Sequence, residues 1–255
     1  MKRISYLFIA LIATISFAQA ETINLSKPSA KSICGATDDR DFSEEARVAR
    51  VRNAADPAGC TITMIGRTCA VSAGHCHSTF GIAEFNTLPS VNGRIVPATP
   101  EDTYRVDKPT SVHRDAGPGN DWAVVRILPN EITGALPGDV QGKYEVSFVA
   151  PAVGDLIRIT GYGTAQGSDR NFAQQTHTGT ISEMTRSGAL RHVADTTGGN
   201  SGSSIILENT QAIIGIHTHG GCFSRGGSNQ GTLLAANAAF QEAITSCLQW
   251  EEENL

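Results

Sequence analysis

A succession of short apolar runs, broken by glycine- and proline-bearing turns, constrains this chain more than any other feature. The clearest is residues 121–128, DWAVVRIL, whose nearly continuous apolar character is that of a buried strand. Upstream, Thr61 and Thr63 alternate with Ile62 and Met64 after Cys60, and residues 69–72 form a second short strand that turns out through Ala73, Gly74, His75 and Cys76. Residues 91–96 and 104–106 are weaker strand candidates, and residues 44–48 fit a brief helical turn. Strand signals recur at residues 146–149, 156–161, 179–181, 190–193, 204–207, 212–216 and 232–235, with a polar, glycine-bearing loop over 163–178. Apolar residues at helical spacing, Phe240, Ile244, Cys247 and Leu248, predict an amphipathic helix over 237–250 with Asn237 as its N-cap. Many short strands around a glycine- and proline-rich midpoint at 128–142 predict an all-β chain of two antiparallel β-barrels with a C-terminal α-helix. The halves divide as residues 33–137 and 138–255.

The first twenty residues read as a secretory signal peptide: Lys2 and Arg3, an apolar core over 4–17, and the small-residue site Ala18-Gln19-Ala20. That core is too short to span a membrane, and no other segment is suited to cross one. Residues 21–32 are polar, carry Pro28 and read as a short pro-segment or a disordered arm. The expected protein is exported and soluble, extracellular or periplasmic. Net charge is −5, or about −7 without Lys2 and Arg3, and no basic stripe points to nucleic acid. Six cysteines in an oxidising compartment imply three disulfides, whose pairing the spacing leaves open among fifteen connectivities. A zinc site from Cys69, His75, Cys76 and His77 would set three ligands side by side, a poor tetrahedron without a C-x-x-C pair, so no metal is expected.

The chemistry gathers at Asp195-Thr-Thr-Gly-Gly-Asn-Ser-Gly-Ser-Ser204. Glycines flanking Ser201 let its hydroxyl stand out and let backbone N–H groups converge, the anatomy of a nucleophile beside an oxyanion hole. An ordinary turn has the same composition. A serine hydroxyl needs an imidazole to take its proton and a carboxylate to orient that imidazole. Among seven histidines, His75 stands apart because it follows an apolar strand and precedes a cysteine. A bridge from Cys76 back to Cys60 would hold the ring and contribute about 3 kcal/mol. Asp121, opening the most apolar strand, is costly to bury without a partner.

The order His75, Asp121, Ser201 is that of the double-barrel proteases, whereas α/β-hydrolases run Ser, acid, His. Cys69-Ala-Val-Ser-Ala-Gly-His75-Cys76, Asn120-Asp-Trp-Ala-Val-Val-Arg-Ile127 and Thr196-Thr-Gly-Gly-Asn-Ser201-Gly-Ser203 together resemble the chymotrypsin-like serine proteases, and more closely their bacterial glutamyl endopeptidase branch. The resemblance runs from about Asp39 to the terminal helix and implies two six-stranded barrels. It implies that His75 is the general base, Asp121 its orienting acid and Ser201 the nucleophile, with the N–H groups of Gly199 and Ser201 as the oxyanion hole and a Cys60–Cys76 disulfide. It further implies a secreted, monomeric endopeptidase made as a zymogen, acting on proteins or peptides without a cofactor. Asn200 stands where digestive relatives carry an aspartate that pairs with the freed N-terminus, so that form of activation is not expected. Ser204 replaces the family's usual proline, outside the chemistry.

In the glutamyl branch the substrate's acidic side chain is bound by residues that correspond to Thr196 and His217, aided by a mature N-terminal amine that would fall near Ile33. A polarised imidazole and a hydroxyl suit a carboxylate. Asp195 occupies the place where trypsin-like enzymes attract Lys or Arg, so that specificity stands as the alternative, as does a catalytically silent binding module on the same fold; an acid there could equally hydrogen-bond His217 or face away. His219 shares a strand face with His217 but has no evident third metal ligand.

Overall fold

The computed structural model describes residues 32–55 and 59–255; the signal peptide expected over 1–20 and residues 21–31 of the expected pro-segment lie outside the described residues. The first half carries strands β1 (Asp41–Phe42), β2 (Val48–Arg52), β3 (Cys60–Met64), β4 (Cys69–Ser72), β5 (Ile82–Glu84), β6 (Thr103–Asp115) and β7 (Asp121–Ile127). After a short helix α1 (Pro137–Gln141) come β8 (Leu156–Gly161), β9 (Gln175–Met184), β10 (Ala189–His192), β11 (Ser204–Leu207), β12 (Ala212–His219), the hairpin β13 (Cys222–Phe223) and β14 (Gly226–Gly227), and β15 (Asn229–Leu233). Helix α2 (Ala238–Asn254) closes the chain, and Asn237 caps it by accepting the Phe240 N–H at 3.1 Å.

Two closed six-stranded antiparallel barrels result. One runs β2-β3-β4-β7-β6-β5, and the other β8-β9-β10-β15-β12-β11 with β8 and β9 sealing the ring. The apolar run predicted at 121–128 is β7, buried at every position but Arg126. It pairs with β4 and β6, where a continuous run can meet core on both sides. Ile62, Met64, Val71, Phe85 and Val124 fill the first barrel, and Ile157, Ile181, Leu190, Ile205 and Ile214 the second.

Where the sequence misled, buried polar groups or turns account for it. Residues 44–48 are not helical: a turn at 46–47 leads into β2 at Val48. Strands β2 and β5 were missed because each carries a charge into the core, and the two charges meet. Arg50 and Glu84 pair at 2.9 Å, with side chains 0% and 1% exposed, and Arg52 joins Glu84 from the rim. Residues 91–96 form a turn, with positive φ at Asn92 and Gly93, and residue 146 makes only an isolated bridge to Ile213. The loop expected to 178 ends at Gln175, where β9 begins.

Each chain end crosses to the other barrel. The N-terminal arm adds β1 to β9 and is bonded through Cys34–Cys222. Helix α2 lies on the first barrel, stacking Phe240 on Trp122 at 5.0 Å and bonding Cys247 to Cys69. There Glu251 accepts the N–H groups of Arg67, Thr68 and Cys69. The third disulfide is Cys60–Cys76, so all six cysteines are paired. These sulfurs carry no lone thiolate for a metal, which removes the zinc set of Cys69, His75, Cys76 and His77 from consideration.

Candidate active site

The histidine is presented by a single 3-10 turn, Gly74–Thr79, at the end of β4. Gly74 is required there: a Cβ would stand 1.9 Å from the Arg114 carbonyl oxygen of the neighbouring strand. The Cys60–Cys76 bond fixes the turn one residue beyond His75. Asp121, with its side chain 0% exposed, accepts from His75 twice, from the ring Nδ1 at 2.6 Å and from the backbone N–H at 3.1 Å. Thr232 of the second barrel clamps the main chain of Asp121, accepting its N–H and donating to its carbonyl. These bonds offset the cost of a buried carboxylate. Donation from Nδ1 leaves Nε2 of His75 as the bare, proton-accepting nitrogen. Burial presses the His75 pKa down, but the hydrogen bond and charge of Asp121 outweigh it, so the pKa stands above its ordinary value.

The serine loop is locked from both sides. Gly199 and Gly202 have φ of 101° and 87°, a region that glycine alone enters freely. A Cβ on either would stand 2.2 Å from a carbonyl oxygen, that of Tyr162 or of Thr61 respectively. The Ser201 carbonyl accepts the Thr61 N–H at 2.8 Å and touches Cys76 Sγ, a disulfide sulfur without a proton to donate, at 3.7 Å. Ser201 therefore sits against the turn that carries His75. The N–H groups of Asn200, Gly202 and Ser203 are all spent on carbonyls. Among the described residues, those of Gly199 and Ser201 donate to nothing.

Asn200 is braced by a residue the sequence reading did not single out. Arg40, 1% exposed, reaches from the N-terminal arm to Asn200 Oδ1 at 3.4 Å, Thr197 Oγ1 at 2.8 Å and the Thr164 carbonyl at 3.0 Å. Asp38 pairs with its outer edge at 2.6 Å. A cation thus reaches the residue before Ser201 from within the folded arm. The only local signal was an arginine between aspartates, which reads as a solvated charge cluster.

Of the alternatives open for Asp195, the structure shows the one in which its carboxylate faces away from Ser201, turned to the arm. One oxygen accepts the Cys34 N–H at 2.6 Å and the other the Asp39 N–H at 2.9 Å. His177 Nδ1 accepts the Asp195 N–H at 2.8 Å. Asp39, His177 and Asp195 are close enough to share a cation, but these main-chain donors already occupy the imidazole lone pair and engage both oxygens of Asp195. Thr196 is fully buried, and its Oγ1 has no hydrogen-bond partner among the described residues. His217 is tied by its main chain to Gly202 and Ser203. Its Nδ1 lies 3.2 Å from Nε2 of His192, and burial holds both rings neutral, His192 with a pKa pushed down to about 3. His219, set apart from His217 by a register shift, approaches the His75–Asp121 pair instead, 3.9 Å from Asp121 Oδ2 and edge-on to the His75 ring.

Three comparisons place this geometry. The family model described as Trypsin matches residues 39–244. A comparison with curated proteins returned no match. Among solved structures, a Glu endopeptidase in complex with MPD superposes with a TM-score of 0.65 at 21% identity, over 85% of this chain and 100% of its own. Protease Anisep from Arthrobacter nicotinovorans gives 0.64 at 16% identity, over 82% of this chain and 99% of its own. A mutant of human heparin binding protein gives 0.60 at 13% identity, over 83% and 96%. Identities this low speak to the fold alone, whereas the family model spans most of the sequence. The chain belongs to the trypsin family.

Proposed function

We propose that this chain is a secreted serine endopeptidase that cleaves protein or peptide substrates after Glu or Asp. The observation that carries the reading is the short His75–Asp121 pair beside a glycine-locked serine whose own N–H and that of Gly199 are unspent. Ser201 Oγ attacks the scissile carbonyl as His75 Nε2 takes its proton, and Asp121 stabilises the imidazolium. The oxyanion is held by the Gly199 and Ser201 N–H groups. His75 returns the proton to the leaving amine, and water then hydrolyses the acyl-enzyme by the same route in reverse.

Acidic specificity is supported by the buried, unpartnered Thr196 hydroxyl and by the turning of Asp195 away to the arm. A Lys or Arg side chain would need a free carboxylate, and that of Asp195 is engaged twice. The likeness to a Glu endopeptidase agrees with this assignment. Export is supported by three disulfides, which persist in oxidising compartments. The test is Ser201→Ala: casein cleavage and fluorophosphonate labelling should vanish while the thermal midpoint is unchanged. Cleavage by the folded variant would sink the assignment. A peptide-library profile with cuts after Lys or Arg would overturn the specificity.

A further inference from the structure

Phe172, in the connection from β8 to β9, is held in a backbone conformation that a bulky side chain rarely enters. Its φ is 54°, in the left-handed region, and the residue is only 2% exposed. Among the described residues, the other non-glycine positions with positive φ are Asn86, Asn92 and Gln211, all of them exposed. Strain of this kind persists only where the surrounding structure over-determines it, and it gathers at functional sites.

The groups that hold Phe172 come from both barrels. Its N–H donates to the Gly163 carbonyl at 3.0 Å, and its carbonyl accepts Nη1 of Arg50, from β2 of the first barrel, at 2.9 Å. Arg50 is the buried cation paired with Glu84, and it also donates to the Val96 carbonyl at 3.0 Å. The preceding residue is pinned as well. Asn171, 0% exposed, donates from Nδ2 to the Gly93 carbonyl at 2.8 Å, and its main-chain carbonyl accepts from Ser90 Oγ.

With its backbone fixed in this way, Phe172 lays its ring against the serine loop. A Cβ built on Gly199 would stand 3.2 Å from Phe172 Cε1 and would also meet the Tyr162 carbonyl. Ring and carbonyl together fill the place of a side chain at Gly199. The Gly199 carbonyl is tied in turn, accepting from Thr61 Oγ1 at 2.9 Å.

We infer that Phe172 is a positioning residue for the Gly199 N–H, its ring backing that glycine and the Arg50–Glu84 pair holding the ring in place. The inference rests on the endopeptidase reading above, in which this N–H binds the oxyanion, and deepens it. A buried ion pair of the first barrel thereby sets the aim of an amide in the second. An amide that loses its aim stabilises the transition state less, while binding of the substrate side chain draws on other residues.

The test uses the full-length enzyme with Phe172→Ala, which removes the ring, and Phe172→Leu, which refills part of its space. In the alanine variant, kcat for a chromogenic peptide that the wild type cleaves should fall about tenfold, with KM within about twofold. Fluorophosphonate labelling, whose phosphoryl oxygen is held by the same N–H pair, should slow by a similar factor. The leucine variant should lose about threefold on both. Rates are taken per folded molecule, with folding followed by near-ultraviolet circular dichroism. A merely structural role would lower the thermal midpoint and leave those rates unchanged. Should alanine prevent folding, the leucine variant decides through its matched losses of kcat and labelling at constant KM. Wild-type rates in the folded variants, or a rise in KM at constant kcat, overturns the role of Phe172 while labelling of the wild type keeps the endopeptidase standing. A wild-type enzyme that fails to label overturns both.

Discussion

On the proposed function, Ser201 has a catalytic side and a reading side, and the two are built differently. On the catalytic side, His75 and Asp121 come from β4's turn and β7, adjacent strands of one barrel, and meet through direct bonds of 2.6 and 3.1 Å. On the proposed reading side, Thr196 comes from the loop before Ser201 and His217 from β12, while Asp195 beside Thr196 is tied to Cys34 and Asp39 at the far end of the chain. The difference is between a site held by neighbouring strands and one held by long-range ties. Chemistry tolerates little displacement of a proton acceptor, while a pocket can be re-walled without touching it.

Breaking the catalytic side should therefore have the larger effect. Asp121→Asn should cut kcat by about 10⁴-fold, because the imidazole loses its tautomer and its counter-charge. The acid limb of kcat/KM reports the same contact. Asp121 raises the His75 pKa against the downward pull of burial. Removing that carboxylate leaves burial opposed only by the charge of Asp115, the least of the causes, so the limb should move to lower pH in the variant. A limb that stays in place in a kcat/KM profile would mean that His75 is not the group titrating.

Arg40 lies between the two sides and should show an intermediate effect. Arg40→Met removes the donors to Asn200, Thr197 and Thr164 from a buried site. Leaving those acceptors unpaired should cost about 2 kcal/mol in urea unfolding. The value of kcat should fall more than KM rises, since Asn200 lies between the two N–H groups proposed to hold the oxyanion. Equal changes in both would place Arg40 with the pocket rather than with the serine loop.

The same contrast explains what was legible beforehand. His75, Asp121 and Ser201 are marked by their immediate neighbours, a strand into Gly74-His75-Cys76, an aspartate opening an apolar run, a serine between glycines. The barrel strands were legible where alternation or continuity was undisturbed, as at β3, β4, β7, β8 and β11. They were lost at β2 and β5, because the Arg50–Glu84 pair puts charge where a pattern looks for apolar residues. Asp195 could not be oriented from its neighbours, since its partners Cys34 and Asp39 lie 161 and 156 residues away. Arg40 and Asn229 are polar residues that reach acceptors far along the chain, Thr197 and Asn200 for one, Ser32 for the other. Local chemistry writes itself into spacing; a long-range tie leaves no periodic trace.

Sharpening the reading side calls for Thr196→Val, a near-isosteric change. Thr196 Oγ1 is buried without a partner, a cost to the free protein. Valine should raise the thermal midpoint slightly while raising KM for a Glu peptide about tenfold. Opposite signs for stability and function are what a site waiting for its ligand must give. A lower midpoint would mean that the hydroxyl has a structural partner and is not reserved for substrate.

The smallest effect expected is a pH dependence confined to acidic substrates. Burial holds the His217 pKa well below its ordinary value, so in the free enzyme the ring is neutral near pH 7. A substrate carboxylate bound against it is an opposite charge and favours the protonated ring, raising that pKa in the complex. Binding then takes up a fraction of a proton between the two values, and affinity must fall as pH rises through that window. KM for a Glu peptide should therefore increase from pH 6 to 8 by less than the tenfold per unit that full uptake would give. The Gln counterpart, with no charge to hold the proton, should show a flat KM over the same range. Parallel slopes for the two peptides would assign the dependence to His75 or His219 and remove His217 from the pocket.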